Sequence, residues 1–377
     1  MTPPNLGSTA AAPARETATR RPAASATTPA PSWRQGFIAG PVYDSLCFIL
    51  SPLLALGVAY SLGFFTYPFE STDALAGRGT RIGFFISVWT SSHLAAVFFR
   101  SHLNPQIFAL HRGRFIVVPI LLTIAIAADD RVRMVCFVLA GLWDVYHSSA
   151  QNFGLGRIYD ARRGNDPKAG RSLDLWINHL LYIGPILGGL SLMATLNDFK
   201  LFLDVGWSGP VRFASWMETH QPTLRAVLVA VGVAFLAYYV FRYWQMSRRG
   251  YRVSPQKVLL LTSVGVSSIW AWGFLPPIEA AFVANLYHAL QYFAIVWWTE
   301  KKNMKRVFRV SSVPGGAVLA LLAFFTVIFL LGMGMKYASN AYTLRGGLKW
   351  AAAAALVCSL MHFWYDGFVW SVRRKEV

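Results

Sequence analysis

Between Gly315 and Met335 the chain runs through 21 residues of glycine, apolar side chains and one threonine, Thr326, without a single charge. At about 1.5 Å per helical residue such a run spans about 30 Å, the hydrocarbon thickness of a bilayer. It is one of many: 55% of the 377 residues are hydrophobic and only 14% are charged. A chain of that composition resembles no ordinary soluble domain. The sequence predicts an all-α, polytopic transmembrane helix bundle. Ten spans are expected, at 44–65, 82–100, 114–128, 133–154, 173–194, 224–243, 256–274, 278–299, 315–335 and 347–371. The third is short and stops at Asp129-Asp130. Pro276-Pro277 turns the seventh into the eighth. The segment 195–223, with Trp207 and Trp216, suits an interfacial helix.

The net charge of +18 invites a nucleic-acid reading, but the basic residues sort by position. With the N-terminus inside, 25 of the 35 Lys and Arg fall on inner segments. This is the positive-inside bias, and it predicts both termini in the cytoplasm. No basic soluble domain remains to hold nucleic acid. Residues 1–34, rich in Ala, Pro, Ser and Thr, read as a disordered basic tail preceding a transmembrane domain at 35–377. The localisation expected from these features is a membrane, crossed many times, with the basic segments on its cytoplasmic side. Cys47, Cys136 and Cys358 are spread over apolar spans with no CxxC pair, so they predict neither a disulfide framework nor a zinc site.

Five of the eight histidines lie within spans, one in each of five helices: His93, His147, His179, His288 and His362. Each stands roughly 6–11 residues from the cytoplasmic end of its span, about 10–15 Å deep. Asp144 lies three residues before His147 and Asp366 four after His362, so each carboxylate shares a face with its imidazole. Asn285 and Tyr292 flank His288, Gln151 follows His147 by one turn, and Arg100 follows His93 by two. Charged groups in a span are costly and mark protein-lined sites. Imidazole with carboxylate suits iron, zinc, manganese or copper, and such ligands are oriented by neighbouring polar groups. The expected metal ligands are therefore the five histidines and Asp366. Asp144, Gln151, Tyr292 and Tyr365 are catalytic or orienting candidates, and Asn285 and Arg100 are cofactor-side candidates. The five histidine-bearing spans are expected to pack together, with the other five peripheral.

Other residues invite plainer readings. Arg100 can snorkel to the headgroups. His102 and His111 fall in an inner loop as solvated residues, and His220 falls outside. Gly154 and Gly156 suit a helix end. Trp297, Trp298 and Trp370 suit an interfacial belt.

The motifs Tyr-His-x3-Gln-Asn-Phe-Gly with Arg-Ile-Tyr (146–159), Tyr-His-Ala-Leu-Gln-Tyr (287–292) and His-Phe-Trp-Tyr-Asp-Gly-Phe-Val-Trp (362–370) resemble those of bacterial multispanning proteins of unassigned function. More distantly, the arrangement is similar to integral-membrane non-haem iron oxygenases of the hydroxylase, desaturase and carotenoid-cleaving types. No HxxxH, HxxxxH or HxxHH box is present. The resemblance implies a transition metal, iron first, acting on a lipophilic molecule near the cytoplasmic face, with an electron-donor protein as a partner. Two other readings stay open: a His/Asp proton relay or proton-coupled transporter, and a bis-histidine haem protein.

Overall fold

The computed structural model describes residues 36–63, 72–189, 192, 196, 198–339 and 348–370, with the backbone alone for 72–80, 198 and 348. The tail expected over residues 1–34 lies outside these. Helices and turns make up everything described, with no strand among the described residues.

The first expected span is broken. Helix α1 (Pro41–Asp44) passes into a π-turn at Ser45–Ile49, and α2 (Ser51–Ser61) leaves at 60° to it. Pro52, in the first turn of α2, has no N–H to continue the preceding ladder. Asp44 anchors the entry. Its carboxylate accepts from the backbone N–H groups of Ile38 (2.6 Å), Ala39 (2.9 Å) and Gly40 (3.2 Å) and from Tyr159 Oη (3.1 Å).

Helix α3 (Thr72–Ser101) is followed by α4 (Pro105–Ala128), which starts earlier than expected because Asn104 caps it, accepting from Gln106 N and Ile107 N. A departure from helical geometry at His111 (φ −126°) separates its first turns from the expected third span. Asp129 ends α4 and caps α5 (Asp130–Arg162), accepting from Arg131 N and Val132 N. Helix α5 continues through Gly154 and Gly156, where a helix end was expected. A Cβ at Gly156 would touch the Lys257 side chain at 3.4 Å. The glycine is there for a neighbour's approach.

Next come α6 (Arg171–Gly188), a 3₁₀ segment at Asp198–Val205, and α7 (Gly209–Thr219). Helices α8 (Gln221–Arg248), α9 (Pro255–Phe274), α10 (Pro277–Val307), α11 (Gly316–Ser339) and α12 (Leu348–Val369) complete the described chain. Six helices are long and apolar enough to cross a membrane: α3 over Arg81–Ser101, α4, α8, α9, α11 and α12 over Lys349–Val369. The bent α1–α2 pair would make a seventh. Helices α5, α6 and α10 coincide with expected spans, but their polar residues lower their hydropathy. Two of them, α5 and α10, carry the centre described below.

Helix α10 packs against α3, α9, α11 and α2, while α12 packs against α3, α4, α5 and α11. Helices α3, α5, α10 and α12 thus surround a common interior. One expectation about packing fails: helix α6 lies against α5, α8 and α9, away from that interior, while α11 lies along α3. Gly332 of α11 allows the latter approach, since a Cβ there would overlap Ser92 Oγ and sit 2.6 Å from Ser92 N. Backbone cannot yield as a flexible side chain does. Gly332→Ala should therefore lower stability by about 1–3 kcal/mol, read as a fall in the thermal midpoint in detergent. An unchanged midpoint would place this contact elsewhere.

Candidate metal centre

Four of the five histidines expected within spans converge. The ring centroids of His93 lie 4.5 Å from His288, 4.4 Å from His362 and 6.1 Å from His147. His147 is 5.3 Å from His288 and 4.8 Å from His362. All four rings are buried. Two overlapping groups have ligand atoms within 4.8 Å of one another: His93, His147 and His288, and His147, His362 and Asp366. His147 belongs to both.

The second group is drawn in finer detail. His147 Nε2 is 3.1 Å from His362 Nε2, and Asp366 Oδ2 is 3.7 Å from the first and 3.6 Å from the second. Donors about 2.1 Å from one ion are separated by about 3.0–3.4 Å in octahedral or tetrahedral geometry, so these three atoms need little adjustment to share one. The other oxygen of Asp366 is fixed, because Oδ1 accepts from Tyr292 Oη and Trp370 Nε1, both at 2.9 Å. Those two donors aim Oδ2 at the imidazoles, as orienting partners do at metal sites.

Unpartnered polar atoms support the same fit. Neither ring nitrogen of His288 nor Nε2 of His93 has a hydrogen-bond partner among the described residues, and Gln151 Oε1 is likewise bare. A buried polar atom left without a partner costs about 1–3 kcal/mol. Several side by side, with each neutral imidazole offering one lone-pair nitrogen and Gln151 its carbonyl oxygen, form a donor set suited to a cation.

Not every candidate joins them. His179 stands apart: its Nδ1 is 2.7 Å from Ser149 Oγ and its ring 5.1 Å from Tyr146. Ser149 is two residues from His147, about 200° around α5, so His179 meets the face turned away from the cluster. Asp144 is also absent from both groups. Three residues on a helix leave about 60° of angular offset, and Asp144 lies instead within electrostatic reach of Tyr182 of α6. The carboxylate of the centre is Asp366. Tyr365 turns toward α4, its ring 4.7 Å from Phe115.

Gln151 bridges α5 to α10, donating to His288 O and Gln291 Oε1, both at 3.0 Å. Asn285 ties α10 to α3 by accepting from Thr90 Oγ1 at 2.9 Å. Arg100 does not snorkel. It is buried, paired with Glu300 at 2.5 Å, and stacked 4.8 Å over Trp370. Trp370 is accordingly part of the centre. His102 is half-buried among aromatic rings, 5.2 Å from Phe115, and that burial pushes its pKa down. His220 is exposed and stacked on Trp216.

Beside the centre lies a cavity of about 270 Å³. His147, Gln151, Tyr292 and Asp366 are on its wall, and the rest of the lining is chiefly apolar, including Trp143, Phe153, Phe363 and Trp370. Tyr146 both lines it and is 49% exposed, so the cavity reaches the outer surface of α5.

A second buried polar cluster joins α5, α6, α8 and α9. Asp174 accepts from Arg157 Nη1 (2.6 Å), Tyr239 Oη (2.8 Å) and Tyr243 Oη (2.6 Å). Lys257 Nζ reaches Asp160 Oδ2 at 2.7 Å and Asp174 Oδ1 at 3.2 Å. The clue was present: Lys257 sits near the start of an otherwise uncharged apolar run, and Arg157 and Asp160 share a helix face.

No family model, curated protein or solved structure matches the chain.

Proposed function

We propose that the protein is an integral-membrane metal-dependent oxidoreductase, with non-haem iron as its metal, acting on a lipophilic substrate near the cytoplasmic face of a bacterial inner membrane. The observation that carries this reading is the position of His147, His362 and Asp366: ligand atoms 3.1–3.7 Å apart, two of these residues on the wall of an apolar cavity. Mixed imidazole and carboxylate donors suit iron, which would supply redox chemistry with dioxygen when bound. The chain's own residues do the rest. His93 and His288 bring further imidazoles, Tyr292 and Trp370 hold Asp366, and Gln151 holds α5 to α10. The apolar walls exclude water from whatever lies beside His147.

The test is to purify the full chain in mild detergent, measure its metals, and treat the reduced protein with nitric oxide. Stoichiometric iron and the EPR signal of a high-spin iron–nitrosyl would support an open non-haem site. Absence of any transition metal would remove the proposal.

A second reading has its own observation. The imidazole pair at 3.1 Å, with Asp366 and Tyr292 beside it, is also a chain along which a proton could pass. Proton flux in liposomes from metal-free protein would favour it. A bis-histidine haem is disfavoured, because two Nε2 atoms 3.1 Å apart leave no gap for a porphyrin plane.

Ten spans with cytoplasmic termini belong to the same proposal, with α5, α6, α10 and the bent α1–α2 pair crossing beside the six apolar helices. Reporter fusions after Arg163, Met304 and Val377 should all give cytoplasmic signals. A periplasmic signal at any of them would contradict this topology.

A further inference from the structure

The buried pair of Arg100 and Glu300 stands where it decides what Asp366 can bind. Arg100 lies in the last turn of α3 and Glu300 on α10. The guanidinium also reaches the end of α12, where Nη2 donates to Val369 O at 3.2 Å and the cation stacks over Trp370. Trp370 Nε1 in turn donates to Asp366 Oδ1. Arg100 is thus one side chain removed from the carboxylate of the centre, and Asp366 and Tyr292 both lie within its electrostatic reach.

Two carboxylates therefore compete for one guanidinium. Arginine binds carboxylates through charge-assisted, often bidentate hydrogen bonds, and burial leaves the attraction little screened. An Asp366 taken by Arg100 would meet the imidazoles with its charge cancelled and its lone pairs occupied. The observed pairing is the other one: Arg100 Nη1 is 2.5 Å from Glu300 Oε1. Asp366 Oδ2 keeps its place 3.6–3.7 Å from the ring nitrogens of His362 and His147.

Glu300 is itself held in position. Asn104 Nδ2 donates to both of its oxygens, at 3.1 and 3.0 Å, and Asn303 Nδ2 donates to Oε2 at 3.2 Å. Asn104 is fixed by capping α4, and Asn303 by donating to Leu103 O at 2.9 Å. The turn between α3 and α4 therefore sets Glu300, and Glu300 sets Arg100. A salt bridge that served only to tie α3 to α10 would need no place on the indole that holds Asp366.

We propose that Glu300 is a positioning residue of the centre: by holding Arg100 over Trp370 it keeps the guanidinium off Asp366 and leaves that carboxylate to the metal. This rests on the reading of His147, His362 and Asp366 as metal ligands. Neither Glu300 nor Arg100 is a ligand; both act through Asp366.

The test is anaerobic titration of the metal-free full chain in mild detergent with cobalt(II), whose visible absorption reports affinity and donor set together. Glu300→Gln releases Arg100 and should weaken cobalt binding about tenfold or more, as loss of an orienting partner does. In an Asp366→Asn background the same change should add less than about twofold, because no carboxylate remains for Arg100 to take; mere loosening of the helices would add in full. Arg100→Gln combined with Glu300→Gln removes both charges, orphans neither, and should bind cobalt within about threefold of wild type. Unchanged binding by Glu300→Gln, or a loss that adds in full to that of Asp366→Asn, would overturn the proposal. If Glu300→Gln fails to accumulate as folded protein, the double variant decides: affinity within that range supports the proposal, and a larger loss overturns it, since Arg100 would then build the centre and not threaten it.

A readout without metal separates this proposal from the metal reading. In protein labelled with 5-fluorotryptophan, the Trp370 fluorine resonance is assigned by its absence from Trp370→Phe. Glu300→Gln should move that resonance in the wild-type background and leave it in place in the Asp366→Asn background. Wild type that binds no cobalt would sink the metal reading, while the fluorine experiment would still decide whether Glu300 restrains Arg100. A resonance that stays put in Glu300→Gln, or moves equally in both backgrounds, would show that it does not.

Discussion

His147→Ala should leave the purified protein with less than about one tenth of its wild-type metal. His147 is the one residue shared by both converging groups, so its loss removes a ligand from either arrangement at once. Asp366→Asn should be milder in kind. If Asp366 orients and charge-balances the imidazoles, the amide should weaken metal binding about 10–100-fold, and a larger loss would identify the carboxylate as a direct ligand. His179→Ala and His220→Ala should leave metal content unchanged, since neither ring belongs to the convergent groups. Elemental analysis of protein purified in parallel, with thermal midpoints recorded for each variant, checks all four. Metal retained in full by His147→Ala would refute the assignment of the centre.

The largest effect on stability is expected at the other polar cluster. Asp160, Asp174, Arg157 and Lys257 are all buried, and as ionised groups their two positive and two negative charges cancel. Asp174→Ala would leave Arg157 and Lys257 facing a single carboxylate and would strip Tyr239 and Tyr243 of their acceptor. Removing one partner of a buried ion pair costs about 3–5 kcal/mol, because the remaining charge stays desolvated. Asp174→Ala should therefore bring a large drop in thermal midpoint or a failure to accumulate folded protein. Replacing Lys257 and Asp160 together with methionine and leucine should recover part of the loss seen in Lys257→Met alone, since the double change leaves Arg157 with Asp174 alone and no second carboxylate in excess beside it. If Asp174→Ala unfolds at the wild-type temperature, the cluster does not hold α5, α6, α8 and α9 together.

The fold class was legible because the bilayer imposes a coarse rule, that long apolar runs become helices. Proline and aspartate then marked their ends, as at Pro276-Pro277 and Asp129. What the sequence hid was direction around each helix. Asp144 and Asp366 look alike on paper, each a turn from a histidine, yet only Asp366 reaches the cluster. An offset of about 60° on α5 turns Asp144 toward α6, and nothing in the local sequence says which neighbour lies there. His179 fails for the same reason at larger scale, since its helix packs on the far face of α5. Depth along a helix can be counted from the sequence; which helices are neighbours cannot. Arg100 and Trp370 were hidden differently. Their residue types are typical of a membrane interface, and only the approach of Glu300, 200 positions away in sequence, converts Arg100 into a buried ion pair. The glycines at 154 and 156 suggested a terminus because flexibility is their commoner use. Here Gly156 makes room for Lys257, while a Cβ at Gly154 would face open space.

X-ray absorption at the metal edge of the wild-type protein tests the central claim most directly, because it reports donor type without requiring a substrate. The edge should belong to one first-row transition metal, iron, with nitrogen and oxygen donors at about 2.0–2.2 Å, at least two of them showing the outer-shell scattering of imidazole. Those imidazole features should disappear together with the metal in His147→Ala. A protein that purifies without stoichiometric metal, or whose metal is bound by sulfur, would contradict it.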